Sequence, residues 1–188
     1  MKGPAPRFTN LHVWKTMHNI AKDGKVSRKH LTKNVGVGEG SIRTILIQLK
    51  KKNFIKITQA GVSLTEKGKK FLDKHKIKIV RINAKNIVVG KYTVSAFIKN
   101  RGHKIRYGLE QRDEAIKNGA TGATTIISRE EKLAAPGITD NLKKDYPDVA
   151  EQIFSKFEIE KNDVVIIGSG DSLKKAEDGA IAGALSLF

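Results

Sequence analysis

Arginine, glutamine, serine and threonine are side chains that can read the edges of bases, and four of them fall within eight residues: Ser41, Arg43, Thr44 and Gln48. Arginine can give two hydrogen bonds to guanine, glutamine can make two with adenine, and serine or threonine adapts to either edge. Around them stand Arg28, Lys29, Lys33, Lys50, Lys51 and Lys56, cations that would hold phosphates and set position without reading sequence. Ser27 opens this basic stretch, and Gln59 falls where a hairpin tip would approach a minor groove. The plainer alternative is a solvated basic face on a protein-docking module.

Two other groups could bind a small anion. Gly168-Ser169-Gly170-Asp171-Ser172 reads as a loop between a buried strand and a helix, where backbone N–H groups attract phosphate or carboxylate. It lacks the third glycine of a dinucleotide fingerprint and the lysine of a phosphate-binding loop. Asp171 would repel an anion while serving well as a helix cap, so a plain turn fits equally. The second group is Arg101, His103, Arg106, Tyr107 and Arg112, with Glu110 and Asp113 among them. In a helix Arg106, Glu110 and Asp113 would be neighbours able to form surface ion pairs. Two arginines in a polar lining could also clasp a carboxylate or phosphate.

Catalysis and metals find little support. The five histidines have no mutual spacing of three or four, and the chain has no cysteine, which excludes a disulfide framework, a thiolate metal site and a cysteine nucleophile. Ser169 lacks the surroundings of a nucleophile elbow. No catalytic residue, metal or cofactor is expected, and the protein reads as a non-enzyme. No apolar run approaches twenty residues and the first ten residues lack an apolar signal region, so a cytoplasmic location is the default expectation.

The elements that must position these groups follow from periodicity. Ile42, Ile45, Leu46 and Leu49 fall at i, i+3, i+4 and i+7, one buried stripe of a helix that turns Arg43, Thr44, Gln48, Lys50 and Lys51 outward. Ahead of it lies a short helix capped by Ser27, with Leu31 and Val35 inward, and the turn Gly36-Val37-Gly38. Asn53 ends the second helix in a left-handed conformation. Runs 54–58 and 62–64 flank Gln59-Ala60-Gly61 as a hairpin. A first helix spans Leu11 to Lys22 with Trp14 in the core, Thr65 caps a last helix to about Lys76, and residues 1–9 are expected to form a loose arm. Beyond Ile77 the expected order is strands at 77–81 and 86–99 with a break near Gly90, and a helix over 107–118. A strand over 121–128, a helix over 141–157 disturbed by Pro147, a strand over 163–167 and a final helix complete it. The fold class is α+β: a winged helix-turn-helix over 1–76 and a two-layer α+β domain with a small mixed or antiparallel sheet over 77–188.

Charge divides the same way. Residues 1–76 hold 18 Lys/Arg against 4 Asp/Glu, while residues 77–188 hold 18 against 15, in a chain of net charge +17. A domain so basic repels itself unless it meets a polyanion, and phosphate backbones are the common one.

Residues 41–55 followed by Leu64-Thr65-Glu66-Lys67-Gly68 resemble the recognition helix, wing and last helix of prokaryotic winged-helix regulators, over roughly residues 10–76. Asn53 stands where such families often carry glycine. Residues 107–116, 119–126 and 164–171 resemble the C-terminal half of a poorly characterised archaeal family in which that half follows a winged helix. More loosely, the order of elements is similar to the insertion domain of bacterial aspartyl-tRNA synthetases and glutamyl-tRNA amidotransferases. These resemblances imply a regulator that binds double-stranded operator DNA, with a C-terminal domain that pairs two copies as a homodimer and senses a small anionic metabolite. An RNA- or tRNA-associated factor or enzyme is the alternative.

Overall fold

The computed structural model describes residues 8–130 and 132–188. Residues 1–7, most of the expected arm, and Glu131 lie outside the described residues. The chain divides between Lys76 and Ile77 into two compact units.

The first unit runs α1 (Asn10–Asp23), α2 (Arg28–Val35), α3 (Glu39–Lys51), β1 (Ile55–Thr58), β2 (Gly61–Leu64) and α4 (Glu66–Lys74). Ser27 caps α2 by accepting from His30 N, and Gly36 closes it in the left-handed region. The four apolar residues of α3 are all buried, at 0–2 % exposure, and pack with Met17, Ile20, Leu31, Val35, Ile55 and Val62. Each such side chain contributes about 1.5–3 kcal/mol, so this face anchors the helix and leaves the other free. Trp14 is buried and its indole N–H donates to His75 O at 3.2 Å.

Behind α3 the chain turns through Asn53, whose φ of 58° is the left-handed conformation an asparagine tolerates. β1 pairs antiparallel with β2 from Ile55↔Leu64 to Thr58↔Gly61, and Val26 adds a bridge to Val62. Thr65 ties hairpin to helix: its hydroxyl donates to Asn53 O at 2.6 Å and accepts from Gly68 N at 3.1 Å. A Cβ on Gly68 would lie 2.1 Å from Phe54 O, so this glycine lets α4 touch the start of the hairpin. The Leu-Thr-x-x-Gly motif is thus a cap and a close approach.

The second unit contains β3 (Lys78–Arg81), β4 (Tyr92–Ile98), α5 (Leu109–Lys117), β5 (Gly122–Arg129), β6 (Lys132–Ala134), α6 (Leu142–Asp145), α7 (Pro147–Lys156), β7 (Val164–Gly170) and α8 (Leu173–Leu185). The α+β class is as expected. The sheet has the order β3-β4-β7-β5-β6, and every neighbouring pair is antiparallel. Phe97, Ile126, Val165 and Ile167 face the α6–α7 pair and residues 82–87, while α5 and α8 cover the opposite face. This second cover adds a layer to the two expected from sequence.

Several boundaries differ. The strand expected over 86–99 begins only at Tyr92. Residues 82–91 instead form a loop whose carbonyls are taken by sheet hydroxyls: Ile82 O by Thr93, Ile87 O by Thr124 at 2.9 Å and Val89 O by Ser169 at 2.6 Å. The helix expected over 107–118 starts at Leu109, after Gly108 in the left-handed region. The helix expected over 141–157 is two helices, because Pro147 opens α7 as its first residue and cannot donate to a preceding turn. The short edge strand β6 carries no sequence signal of its own. Asp163, 2 % exposed, accepts from Asn100 N and Glu160 N at 2.9 Å each and faces Lys99 at 3.4 Å. The Lys99 ammonium is raised above its ordinary pKa, chiefly by its hydrogen bond to Glu160, with desolvation opposing and Asp163 adding to the rise.

Candidate nucleic-acid interface

The outward face of α3 is built by exclusion. With Ile42, Ile45, Leu46 and Leu49 pinned inward, a 3.6-residue repeat turns Arg43, Ile47 and Lys51 along one exposed line and Thr44 and Gln48 along the next. All five are exposed, and Ser41, at the margin, is half-buried. The side chains of Arg43, Gln48 and Lys51 make no hydrogen bond or ion pair among the described residues, so their donors are available. The Thr44 hydroxyl donates to Gly40 O at 3.0 Å, leaving its lone pairs outward.

Ile47 was missed by sequence reasoning. It is 58 % exposed, one turn from both Arg43 and Lys51, at the centre of the face. An apolar side chain among groups able to bond base edges has the chemistry to meet the methyl of thymine. The available signal was that Ile47 falls outside the i, i+3, i+4, i+7 stripe that buries its neighbours.

The N-terminus of α3 adds a second observation. A Cβ on Gly38 or Gly40 would meet nothing within 4 Å, and neither has a positive φ, so the fold needs glycine at neither. Bare backbone there leaves the first-turn N–H groups open to an approaching phosphate.

The other expected residues surround this face unevenly. Arg28 and Lys29 are exposed on α2, which is fixed against α1 by His30 Nε2 to Asp23 Oδ2 at 2.8 Å and by Asn34 Nδ2 to Asn19 Oδ1 at 3.2 Å. Ser27 is exposed but already used as a cap. Gln59 stands exposed in the two-residue link between β1 and β2. Lys56 is exposed as well and lines a cleft of about 450 Å³ with Lys25, Ser63 and Lys69. Lys69 is paired there with Glu66 at 2.7 Å, and that contact holds Glu66 below its ordinary pKa.

In the second unit the expected anion loop is not a loop. Gly168, Ser169 and Gly170 are the last residues of β7, buried and paired with β4 and β5. A Cβ on Gly168 would lie 2.3 Å from Ala176 O and 2.4 Å from Ala180 N, so the glycine exists to let α8 lie on the central strand. The Ser169 hydroxyl is spent on Val89 O. Ser172 caps α8 by accepting from Lys175 N at 3.3 Å. Asp171 pairs with Lys175 at 2.8 Å, whose hydrogen bond holds that carboxyl below its usual range.

The arginine cluster separates in space. Arg101 lies over the Phe188 ring at 4.9 Å, near Lys104, which donates to Leu187 O at 2.7 Å. His103 and Arg106 are exposed. Arg106 precedes the helix, so the expected ladder of Arg106, Glu110 and Asp113 does not form; Arg112 meets Asp113 at 3.3 Å instead. Tyr107 and Arg112 alone of this group line a common cleft.

No helix among the described residues is long and apolar enough to cross a membrane. A family model described as domain of unknown function (DUF4443) matches residues 89–187, and one described as PH0730-like, N-terminal domain matches residues 20–70. A solved structure, the hypothetical protein PH0730 from Pyrococcus horikoshii OT3, is similar with 29 % identity and a TM-score of 0.69, over 96 % of this chain and 93 % of that one. No curated protein matches the chain. The expected pairing of a C-terminal archaeal family domain with a distinct N-terminal domain is met at this level.

Proposed function

We propose that this chain, which belongs to the family described as domain of unknown function (DUF4443), is a DNA-binding transcriptional regulator whose first unit is a winged helix-turn-helix. The observation that carries the reading is the outward face of α3, where Arg43, Thr44, Ile47, Gln48 and Lys51 stand exposed on a helix held from behind by four buried side chains. Helix, turn, helix and hairpin is also the element order of proteins that lay such a helix in a major groove, which supports the reading. The excess of 18 Lys/Arg over 4 Asp/Glu in residues 1–76 supplies attraction to phosphate. In this reading the second unit pairs two copies, because one wing reads too few base pairs for specificity. It also takes a small effector that biases affinity for the operator.

The test is selection of bound duplexes from a random pool, followed by titration of the selected site against salt. Each winged helix neutralising about five phosphates contributes about −4.5 to the slope of log K against log salt, so a pair gives about −9. A slope near zero removes phosphate contact as the source of affinity. Folded RNA displacing the selected duplex at equal concentration would replace this reading with the RNA-associated one.

A further inference from the structure

A cleft of about 370 Å³ opens where β6 stops short of covering its neighbour. β6 pairs with β5 only from Arg129 back to Ile127, so among the described residues the outer edge of β5 from Gly122 to Ile126 has no strand beside it. Ser128 N donates to Asp163 O and Ser128 O accepts from Asn162 N, both at 2.9 Å, which turns Ser128 toward β7. Alternation along an antiparallel ladder then turns the N–H and C=O of Ala123 and Thr125 outward, into the cleft that both residues line.

A third polar group waits in the same place. Thr125 is 5 % exposed, and its hydroxyl is buried without a hydrogen-bond partner. An unsatisfied buried hydroxyl is unfavourable by about 1–3 kcal/mol, so a bound group that supplied its partner would gain by that amount. The start of α5 borders the cleft at Gly108 and Leu109. Gly108 brings no side chain to cap the helix, so its first-turn N–H groups remain available to an anion.

The walls are apolar and exposed. Tyr107 (72 %), Leu109 (51 %) and Ile138 (49 %) are three of the seven large hydrophobic residues that the described chain leaves exposed, and all three line this cleft. Arg112 completes the rim, held only by an exposed contact with Asp113 at 3.3 Å. Its guanidinium can exchange that partner for a ligand carboxylate.

We propose that the cleft between the start of α5, the open edge of β5 and the Pro136–Ile138 turn binds an acylated apolar amino acid: an amide, an apolar side chain and a carboxylate in one unit. The amide completes the β5 edge at Ala123 and Thr125, as an added strand would. The carboxylate lies between Arg112 and the first turn of α5, and the apolar side chain rests on Tyr107, Leu109 and Ile138. This names the effector class within the regulator reading and depends on that reading for its role, but its test involves no DNA, so each can fail alone.

The same unit occurs in a free N-acyl amino acid and at the C-terminus of a peptide. N-acetyl-leucine, N-acetyl-leucinamide and a tetrapeptide ending in leucine are each titrated into the ¹⁵N-labelled full chain. Saturable amide shifts at Gly108, Leu109, Ala123 and Thr125 are expected with at least one carboxylate ligand, and the tighter of the two identifies the source. The carboxamide binds at least tenfold more weakly, and Arg112→Gln weakens the carboxylate ligand by a similar factor. Thr125→Val weakens binding while leaving the melting temperature unchanged or raised, because it deletes a hydroxyl that has no partner in the free protein. A structural role would lower both. Absence of saturable shifts at about 10 mM of either carboxylate ligand, well above the millimolar class, or equal binding of the carboxamide, overturns the proposal.

Discussion

At the scale of single residues, the outward face of α3 separates what the fold needs from what it does not. Arg43 is exposed and its side chain makes no hydrogen bond or ion pair among the described residues, so Arg43→Ala is expected to leave the melting temperature within about 1 °C while weakening the selected duplex by about 1–3 kcal/mol. Gly40 gives the opposite sign on stability. A methyl there meets open space in the first turn of a helix, and alanine should stabilise the unit by about 0.5–1 kcal/mol. It should at the same time weaken binding, because the methyl stands where a phosphate approaches. Calorimetric melting and duplex titration on the two variants check both signs. A Gly40→Ala protein that binds as well as the parent would detach the helix N-terminus from the interface.

At the scale of elements, periodicity carried the first unit well and the second less well. α3 is legible because four residues at helical spacing face a core made of local neighbours. Asn53, Thr65 and Gly68 are legible because each marks a backbone event with a characteristic residue type. The Gly-Ser-Gly stretch misleads for a physical reason. Glycines are loop residues where the backbone must turn, yet at Gly168 the backbone is an extended strand and the missing side chain makes room for a helix. Only the partner element distinguishes the two, and α8 is not visible from within that stretch. The arginine cluster misleads similarly, since Gly108 delays the helix by two residues and leaves Arg106 farther from the turn that carries Glu110 and Asp113. β6 and the open edge beside it are tertiary features, set by where the chain turns at Pro136 and not by local preference. Gly168→Ala tests the corrected role. Its methyl would collide with backbone atoms of α8 that cannot swing aside, and a loss of about 3 kcal/mol or more is expected, read from the far-ultraviolet dichroism melt. A variant as stable as the parent would reopen the loop reading.

At the scale of the whole molecule, the two units carry separate reporters. The chain's one tryptophan, Trp14, is buried in the first unit, so indole fluorescence follows that unit alone. If the units unfold independently, Gly168→Ala lowers the dichroism midpoint of the second unit and leaves the fluorescence midpoint unchanged. A parallel shift of both would mean that the units unfold as one. Charge is partitioned along the same line: the basic excess lies in residues 1–76 and near balance in residues 77–188. In the proposed reading, attraction to a polyanion and recognition of an apolar acid fall to different parts of the chain.

The strand order β3-β4-β7-β5-β6 also has a consequence for biosynthesis. The keystone of the sheet, β7, leaves the ribosome after the four strands it joins, whereas the first unit is built from nearby pairings and can close early. Until β7 emerges, β4 and β5 have no common neighbour, and the nascent second unit consists of two unjoined ribbons with open flanks. A messenger truncated before codon 164 would yield a folded basic module tethered to an unfinished sheet, a species liable to aggregate and a substrate for chaperones.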